Sequence, residues 1–283
     1  MEEQKRRWGP GVEAYTRTPT QVPVAAGGHK LSSVEIREQR RWTGITWDIS
    51  AVDLSQVGGT GDPDRARHRF RGRLPDLIWD AARLEGNTFT LPEVRTLLEG
   101  VTVQGRPLQD QDQILALNEG FNTVDALVGD GRFSLSKECS DLIHGQVAVH
   151  EAIESGHFRG EGVTEGGGSV RLSMGGVVEG RPAGESGGIL RQAYVDLLDF
   201  LSTEQDPRVR AFVYAAAVIR HQLYFDGNKR TAKLMASGEL MSHGFDAVSV
   251  PYARLHEQNL ALDELFDTDD ATALIRLFAD CAR

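Results

Sequence analysis

The chain has 283 residues, a formal net charge of −10, 40% hydrophobic and 25% charged residues, and two cysteines. This composition excludes wholesale disorder and a disulfide framework, the acidic balance argues against a nucleic-acid partner, and no apolar run reaches the roughly 20 residues of a membrane span. We therefore expect a cytoplasmic enzyme or binding protein without a structural metal.

The N-terminal part of the chain carries weak signals. Residues 1–30 mix Gly, Pro, Thr and charged residues without periodicity, which predicts an extended arm. A short helix is predicted over 33–42, and residues 43–72 return to loop character. We therefore divide the chain into an N-terminal extension over 1–72 and a main domain over 73–283.

The main domain has the periodicity of helices. Apolar residues recur every three or four positions from 74 to 86, and Thr90 followed by Glu93 forms a capping box that begins the next helix. Further helical patterns cover 108–128, 134–155, 189–202, 207–221, 228–243, 259–266 and 270–281. Because strands and helices do not alternate regularly, the sequence predicts an all-α core of seven or eight helices.

A glycine-rich segment over 156–188 interrupts the helices and holds only two short apolar runs. We predict a β-hairpin over about 169–179 with Gly175 and Gly176 at its turn, because a Gly-Gly pair tolerates positive φ. A segment this long inside a compact domain is usually functional or disordered. A linker without a role is the alternative.

Three cations gather where a largely apolar helix begins. Lys229, Arg230 and Lys233 lie in or beside the first turn of the helix over 228–243, where the helix dipole disfavours positive charge by roughly 0.3–1 kcal/mol each. Free N–H groups also point outward there, so the arrangement suits an anion, usually phosphate. The alternative is that these side chains extend to water or pair with carboxylates.

Two neighbouring residues supply groups for chemistry on a phosphate. Asp226 offers a hard oxygen ligand, and Mg²⁺ typically binds through one or two carboxylates together with substrate phosphates. His221 ends the preceding helix and is a candidate for accepting a proton from an attacking hydroxyl, although the helix dipole also favours a histidine there for structural reasons. Together these residues indicate a phosphoryl- or nucleotidyl-transfer site.

The stretch 221–233 resembles the motif of the Fic domain family, HxFx(D/E)GN(G/K)RxxR. The resemblance implies an all-α Fic fold with a β-hairpin flap, here 169–179, and an adenylyltransferase that moves AMP from Mg-ATP to a hydroxyl of a target protein. It makes His221 the base and Asp226 the Mg²⁺ ligand. By the same resemblance, the phosphate-binding residues are Gly227, Asn228, Lys229, Arg230 and Lys233.

The helix over about 74–86 resembles the inhibitory (S/T)xxxE(G/N) helix of Fic proteins that carry their own N-terminal inhibitor. In those proteins the glutamate reaches the final arginine of the motif and blocks productive binding of ATP. The resemblance therefore makes Glu85 the inhibitory residue, which we expect to pair with Lys233 or Arg230.

The chain departs from the family patterns in three places. His221 lies one residue further from Asp226 than the usual spacing, Lys233 replaces the final arginine, and Ala81 replaces a Ser or Thr. The GNKR form also resembles Doc-type members, so a Doc-like protein kinase stays open, as do a deAMPylase and a non-catalytic nucleotide-binding regulator. The expected partners are ATP and an unidentified target protein docked at the flap, and a homodimer stays open.

Three other histidines and one cysteine are interpreted as structural residues and not as parts of a site. His144, His150 and His157 are six and seven residues apart, so they do not converge as metal ligands on a helix, and we expect them at the surface. Cys139 lies in an amphipathic pattern and is expected to be a small buried hydrophobic residue.

Overall fold

The computed structural model describes residues 31–283, so the arm predicted for residues 1–30 lies outside the described residues. The described part is mostly helical and has one two-stranded antiparallel sheet, which confirms the all-α class with a hairpin. Its α-helices number eleven, more than the seven or eight expected. They are α1 Ser33–Thr43, α2 Pro63–Gly72, α3 Leu74–Leu84, α4 Leu91–Leu98, α5 Leu108–Gly129, α6 Lys137–Val147, α7 Gly188–Ser202, α8 Pro207–His221, α9 Asn228–Ser242, α10 Leu255–Thr268 and α11 Thr272–Cys281.

The helix starts follow local capping chemistry. The capping box of Thr90 and Glu93 begins α4 as predicted, and Ser32 with Glu35 forms a second one at α1. Each box pairs a side-chain oxygen with an orphan N–H of the first turn. At α8, the carboxylate of Asp206 caps the first turn and Pro207 occupies the position where no N–H is needed.

Helices α8 and α9 form the centre of the fold. Eleven residues of α8 and thirteen of α9 are buried, and a short loop joins the two helices. Helices α5 and α6 pack against α9, and α7, α10 and α11 pack against α8. The loop over 222–227 therefore lies at one end of the core, with helices on both sides.

Two predicted elements differ from the structure. The prediction of a loop over 43–72 is wrong for its last ten residues, which form α2. Asp62 caps the first turn of this helix and Pro63 begins it. The helical period of α2 is weak in the sequence, because arginines occupy alternate positions and only Ala66 and Phe70 are buried. The helix predicted over 134–155 is also too long, because α6 ends at Val147 and the chain then turns.

The first helices pack onto the main domain. Helix α1 contacts α7 and α2 contacts α5, while Arg67 and Arg69 of α2 form ion pairs with Asp125 and Asp246 at 3.0 and 2.5 Å. A domain boundary at residue 72 stays a prediction. None of the described helices is both long and apolar enough to cross a bilayer.

Candidate functional site

A cavity of about 630 Å³ opens at the N-terminal end of α9. The loop before α9 forms its floor, the segment 169–173 forms one wall, and α10 forms another. Glu85, from the end of α3, closes a further side. The lining residues are Glu85, Ser169, Val170, Arg171, Leu172, Ser173, Gln222, Phe225, Asp226, Gly227, Asn228, Lys229, Arg230, Asn259, Leu262, Asp263 and Phe266.

The start of α9 presents free backbone donors to this cavity. Gly227 precedes the helix with φ 73°, and no side chain within residues 31–283 caps the first turn. The conformation needs glycine, because a β-carbon there would collide with Ala148 and would lie 3.3 Å from Nε2 of His144. First-turn amides without a cap, together with the positive end of the helix dipole, bind anions such as phosphate.

The Asn228 side chain holds the turn before α9 in shape. Its Nδ2 donates to the carbonyl of Tyr224 at 2.8 Å, and its Oδ1 accepts from the amide of Tyr224 at 2.9 Å. Asn228 lines the cavity, but its amide group is bound to the loop itself. Its contribution to a phosphate site is therefore to shape the turn.

The three predicted cations lie at different depths. Lys229 lines the cavity with its side chain one-third exposed, and Arg230 lines it from below with 3% exposure. Lys233 lies one turn further along α9, is buried, and contacts a separate small cavity that Arg230 also lines. Burial lowers the pKa of Lys233 to about 8, with the nearby charges of Lys229 and Arg230 acting in the same direction.

Arg230 is held by two partners that are not among the residues lining the cavity. It forms an ion pair with Glu151 and donates to the carbonyl of Val147 at 3.2 Å. A second acidic group, Asp226, lies 3.6 Å from its Nη2. The guanidinium is thus fixed at the cavity floor with part of its charge already balanced.

Glu85 pairs with Lys229 at 3.1 Å. The expected pairing with Lys233 or Arg230 is therefore wrong, because Glu151 occupies Arg230 while Lys233 lies deeper in the core. Burial raises the pKa of Glu85, but the positive charges of Lys229, Arg230 and Lys233 outweigh that effect and lower it. Its Oε1 has no hydrogen-bond partner in the described residues.

Asp226 is the carboxylate best placed to hold a metal ion. Its side chain is 62% exposed, it lines the cavity, and its Oδ1 accepts from the amide of Gly227 at 2.5 Å. The described residues contain no group of three His, Cys, Asp or Glu side chains that would bind a metal alone. A single exposed carboxylate beside a phosphate site fits Mg²⁺, which takes its other ligands from phosphates and water.

His221 does not line the cavity, contrary to the expectation that it acts there as a base. Its ring is 2% exposed and lies against Gly44, where a β-carbon would overlap it, and its Nε2 has no hydrogen-bond partner in the described residues. Burial, together with the charges of Arg181 and Arg220, lowers the pKa of His221 to about 3.

The next residue, Gln222, lines the cavity instead. It caps α8 in the left-handed region with φ 50° and ψ 62°, which is strained for a residue with a side chain. The guanidinium of Arg159 donates to its carbonyl at 2.6 Å. Gln222 also lies four residues before Asp226, the spacing that the motif gives its histidine.

Two residues that sequence reasoning missed fix the loop around the cavity. His144 is fully buried, so the surface interpretation is wrong for it, while His150 and His157 are exposed. The His144 ring stacks on Tyr224 with centroids 3.7 Å apart, and its Nε2 lies 2.9 Å from the carbonyl of Asp226. Burial lowers the pKa of His144 to about 4, which keeps the ring neutral.

The burial of His144 could have been predicted from helical periodicity. It shares the buried face of α6 with Ser140, Ile143 and Val147, at the spacing of three and four that marks a core-facing stripe. The burial of Arg159 could not have been predicted from a local sequence pattern. It is 2% exposed and donates to carbonyls brought together from distant parts of the chain, which only the fold reveals. Cys139 is buried as predicted.

The predicted hairpin forms one wall of the cavity. Strand β1, Val170–Arg171, pairs antiparallel with β2, Val177–Val178. Gly175 and Gly176 turn the chain with φ 94° and 103°, as predicted. The tip is attached to α10, because the carboxylate of Asp263 accepts from the amides of residues 173 and 174 at 2.9 and 3.0 Å.

Known proteins share this sequence and fold. The adenylyltransferase Fic of Drosophila mojavensis is 27% identical over 276 residues, which cover 95% of this chain and 51% of the relative. The chain thus spans about half the length of the curated relatives it matches. No protein-family model matches the chain.

Solved structures agree with the sequence relationship. A Fic domain protein of Bacteroides thetaiotaomicron aligns with a TM-score of 0.62 and 18% identity, covering 87% of this chain and 91% of its own. A fragment of Fic-1 from C. elegans gives a TM-score of 0.60 at 19% identity, covering 78% and 67%. The architecture is therefore the Fic fold. In sequence, across 95% of its length, and in fold, the chain is similar to Fic domain proteins.

Proposed function

We propose that this chain transfers AMP from ATP to a hydroxyl side chain of a target protein. The observation that carries the proposal is the cavity at the start of α9, where uncapped amides meet the side chains of Lys229 and Arg230. Preorganised donors and cations of this kind stabilise charge on a phosphate as it is transferred. The names of the curated relatives, protein adenylyltransferases, favour AMP as the transferred group.

Asp226 is the residue that we propose holds Mg²⁺. Its exposed carboxylate lies beside the first-turn amides of α9, where the phosphates of ATP would bind. When bound there, Mg²⁺ neutralises phosphate charge and orients the chain of phosphates. Gly227 permits the left-handed turn that precedes the first-turn amides, and Lys229 and Arg230 supply the remaining positive charge.

The hairpin is the proposed docking place for the target protein. Strand β1 lines the cavity, and Met174 and Val177, further along the hairpin, are each about 60% exposed. An extended segment that adds to a short strand gains main-chain hydrogen bonds and places every second side chain toward one face. Such a segment would carry its hydroxyl to the α-phosphate of bound ATP.

Glu85 is the proposed inhibitor of the site. Its carboxylate lies at the cavity wall and occupies Lys229 at 3.1 Å, so it competes with ATP for that cation and adds a negative charge close to the phosphates. Removing this side chain frees Lys229. We therefore expect the rate of transfer to rise when Glu85 is replaced.

The test compares Glu85→Gly with Glu99→Gly, using ATP labelled at the α- or the γ-phosphate. Both glutamates are the C-cap residues of their helices and both precede a glycine, but only Glu85 lines the cavity. We expect more α-label on protein with Glu85→Gly and no change with Glu99→Gly. Absence of α-label in every variant that binds ATP would contradict AMP transfer.

The position of the label, together with a second assay on a protein that already carries AMP, separates the alternatives. Label from the γ-phosphate alone would indicate a Doc-like kinase, and loss of AMP from a pre-modified protein would indicate a deAMPylase. A non-catalytic nucleotide-binding regulator is favoured by one observation, that no histidine is among the described residues lining the cavity. A cytoplasmic location and a homodimer stay predictions.

A further inference from the structure

The attacking hydroxyl must lose a proton, and the structure shows which side chains are near enough to take it. A base works only within hydrogen-bond reach of that proton, directly or through one water. His221 is buried under the end of α1, against Gly44 and close to the guanidinium of Arg181. Its backbone continues α8, so the ring is directed into the packed side of the helix end and away from the cavity.

Gln222 faces the cavity because the chain reverses at that residue. The left-handed conformation ends α8, and Arg159 holds it by donating to the Gln222 carbonyl at 2.6 Å. The side-chain amide is fixed as well, since its Nε2 donates to the carbonyl of Ile219 at 2.7 Å and its Oε1 accepts from Asn228 at 3.3 Å. A carboxamide donates and accepts hydrogen bonds but takes up no proton near neutral pH.

The carboxylates that line the cavity are already engaged. Glu85 pairs with Lys229, and Asp263 accepts from the amides at the hairpin tip. Asp226 accepts from the amide of Gly227 and is the proposed metal ligand. The described lining residues therefore offer the attacking hydroxyl no imidazole, and each of their carboxylates already has a partner at one or both oxygens.

We propose that Gln222, not His221, faces the reacting centre, so that the chain keeps its ATP site but transfers AMP without a base from its own side chains. The inference rests on the proposed function. In the step, the hydroxyl oxygen bonds to the α-phosphorus and the bond from that phosphorus to the bridging oxygen breaks. Pyrophosphate leaves with the bonding electrons, and the hydroxyl proton passes to water. Transfer is then slow relative to binding, since a positioned base contributes about 10²–10⁴-fold.

The test uses the full chain in the Glu85→Gly background, with added Gln222→His or His221→Gln. Binding of a non-hydrolysable ATP analogue is measured by calorimetry, and AMP incorporation from α-labelled ATP is measured from pH 5.5 to 8.5. We expect Gln222→His to raise the rate about 10²–10⁴-fold and to add an inflection near the usual histidine pKa. Analogue affinity should change less than about threefold, and His221→Gln should leave the rate unchanged.

Loss of transfer in a folded His221→Gln variant, with no gain from Gln222→His, would overturn the inference and leave the proposed function intact. Thermal denaturation shows whether His221→Gln is folded, and if it is not, the Gln222→His rate and pH profile decide alone. Failure of every folded variant to bind the analogue would refute the proposed function, and the inference with it.

Discussion

The burial of His221 makes a specific prediction about stability and pH. In the unfolded chain this histidine takes up a proton as the pH falls through its usual pKa of 6.5, whereas in the folded protein burial lowers the pKa to about 3. The unfolded state therefore binds more protons between these values, and the free energy of unfolding falls with pH. One pKa unit corresponds to 1.36 kcal/mol. Between pH 7 and pH 4.5 the loss due to His221 is about 3 kcal/mol.

Urea unfolding of the wild type and of His221→Gln at pH 7 and pH 4.5 measures this loss. Other groups, including His144, titrate in both proteins and cancel in the comparison. We expect the variant to be less stable at pH 7 and the difference from wild type to shrink by about 3 kcal/mol at pH 4.5. His256→Gln, at an exposed histidine, is the control. A difference that stays equal at both pH values would refute the burial of His221.

Two further predictions concern the cavity and its support. Glu85→Gln should tighten the binding of ATP about 10- to 100-fold, because Lys229 becomes free for a charge-assisted hydrogen bond of about 1.5–3 kcal/mol. Calorimetry measures the affinity, with Glu99→Gln as the matched control, and equal affinities would contradict the inhibitory role. Arg159→Met should lower the free energy of unfolding by about 1.5–3 kcal/mol, because it removes the charge-assisted hydrogen bonds from a buried guanidinium to the carbonyls of residues 166–167, 181 and 222. Urea unfolding measures this effect, and a loss below about 1 kcal/mol would contradict it.

The sequence predicted the elements whose signals are local. The boundaries of α8 agree with the prediction, and α9 differs only at its last residue, because proline, glycine and a continuous apolar surface mark both helices. The hairpin followed from Gly175 and Gly176 in the same way. Helix α2 was missed because its buried face consists of two side chains among many arginines.

The site was predicted only in part, because its contacts join distant segments. The sequence predicted Lys229 as a site residue, but its pairing with Glu85 could not be predicted locally. The pairing depends on Glu151, which lies in the turn after α6 and forms an ion pair with Arg230. The position of His221 depended on one backbone conformation. Its spacing alone does not reveal that the helix ends with a left-handed residue immediately after it.

The loop before α9 is held at three points, and together these points exclude a shift that would bring His221 into the cavity. The Asn228 side chain binds both backbone groups of Tyr224, His144 binds the carbonyl of Asp226, and Arg159 binds that of Gln222. Moving the loop by one residue would break all three attachments and leave buried polar groups unpaired, at about 1–3 kcal/mol each. A rotation of one side chain cannot replace that shift, because the His221 ring lies beneath Gly44. Within this fold, a histidine reaches the cavity by substitution at residue 222.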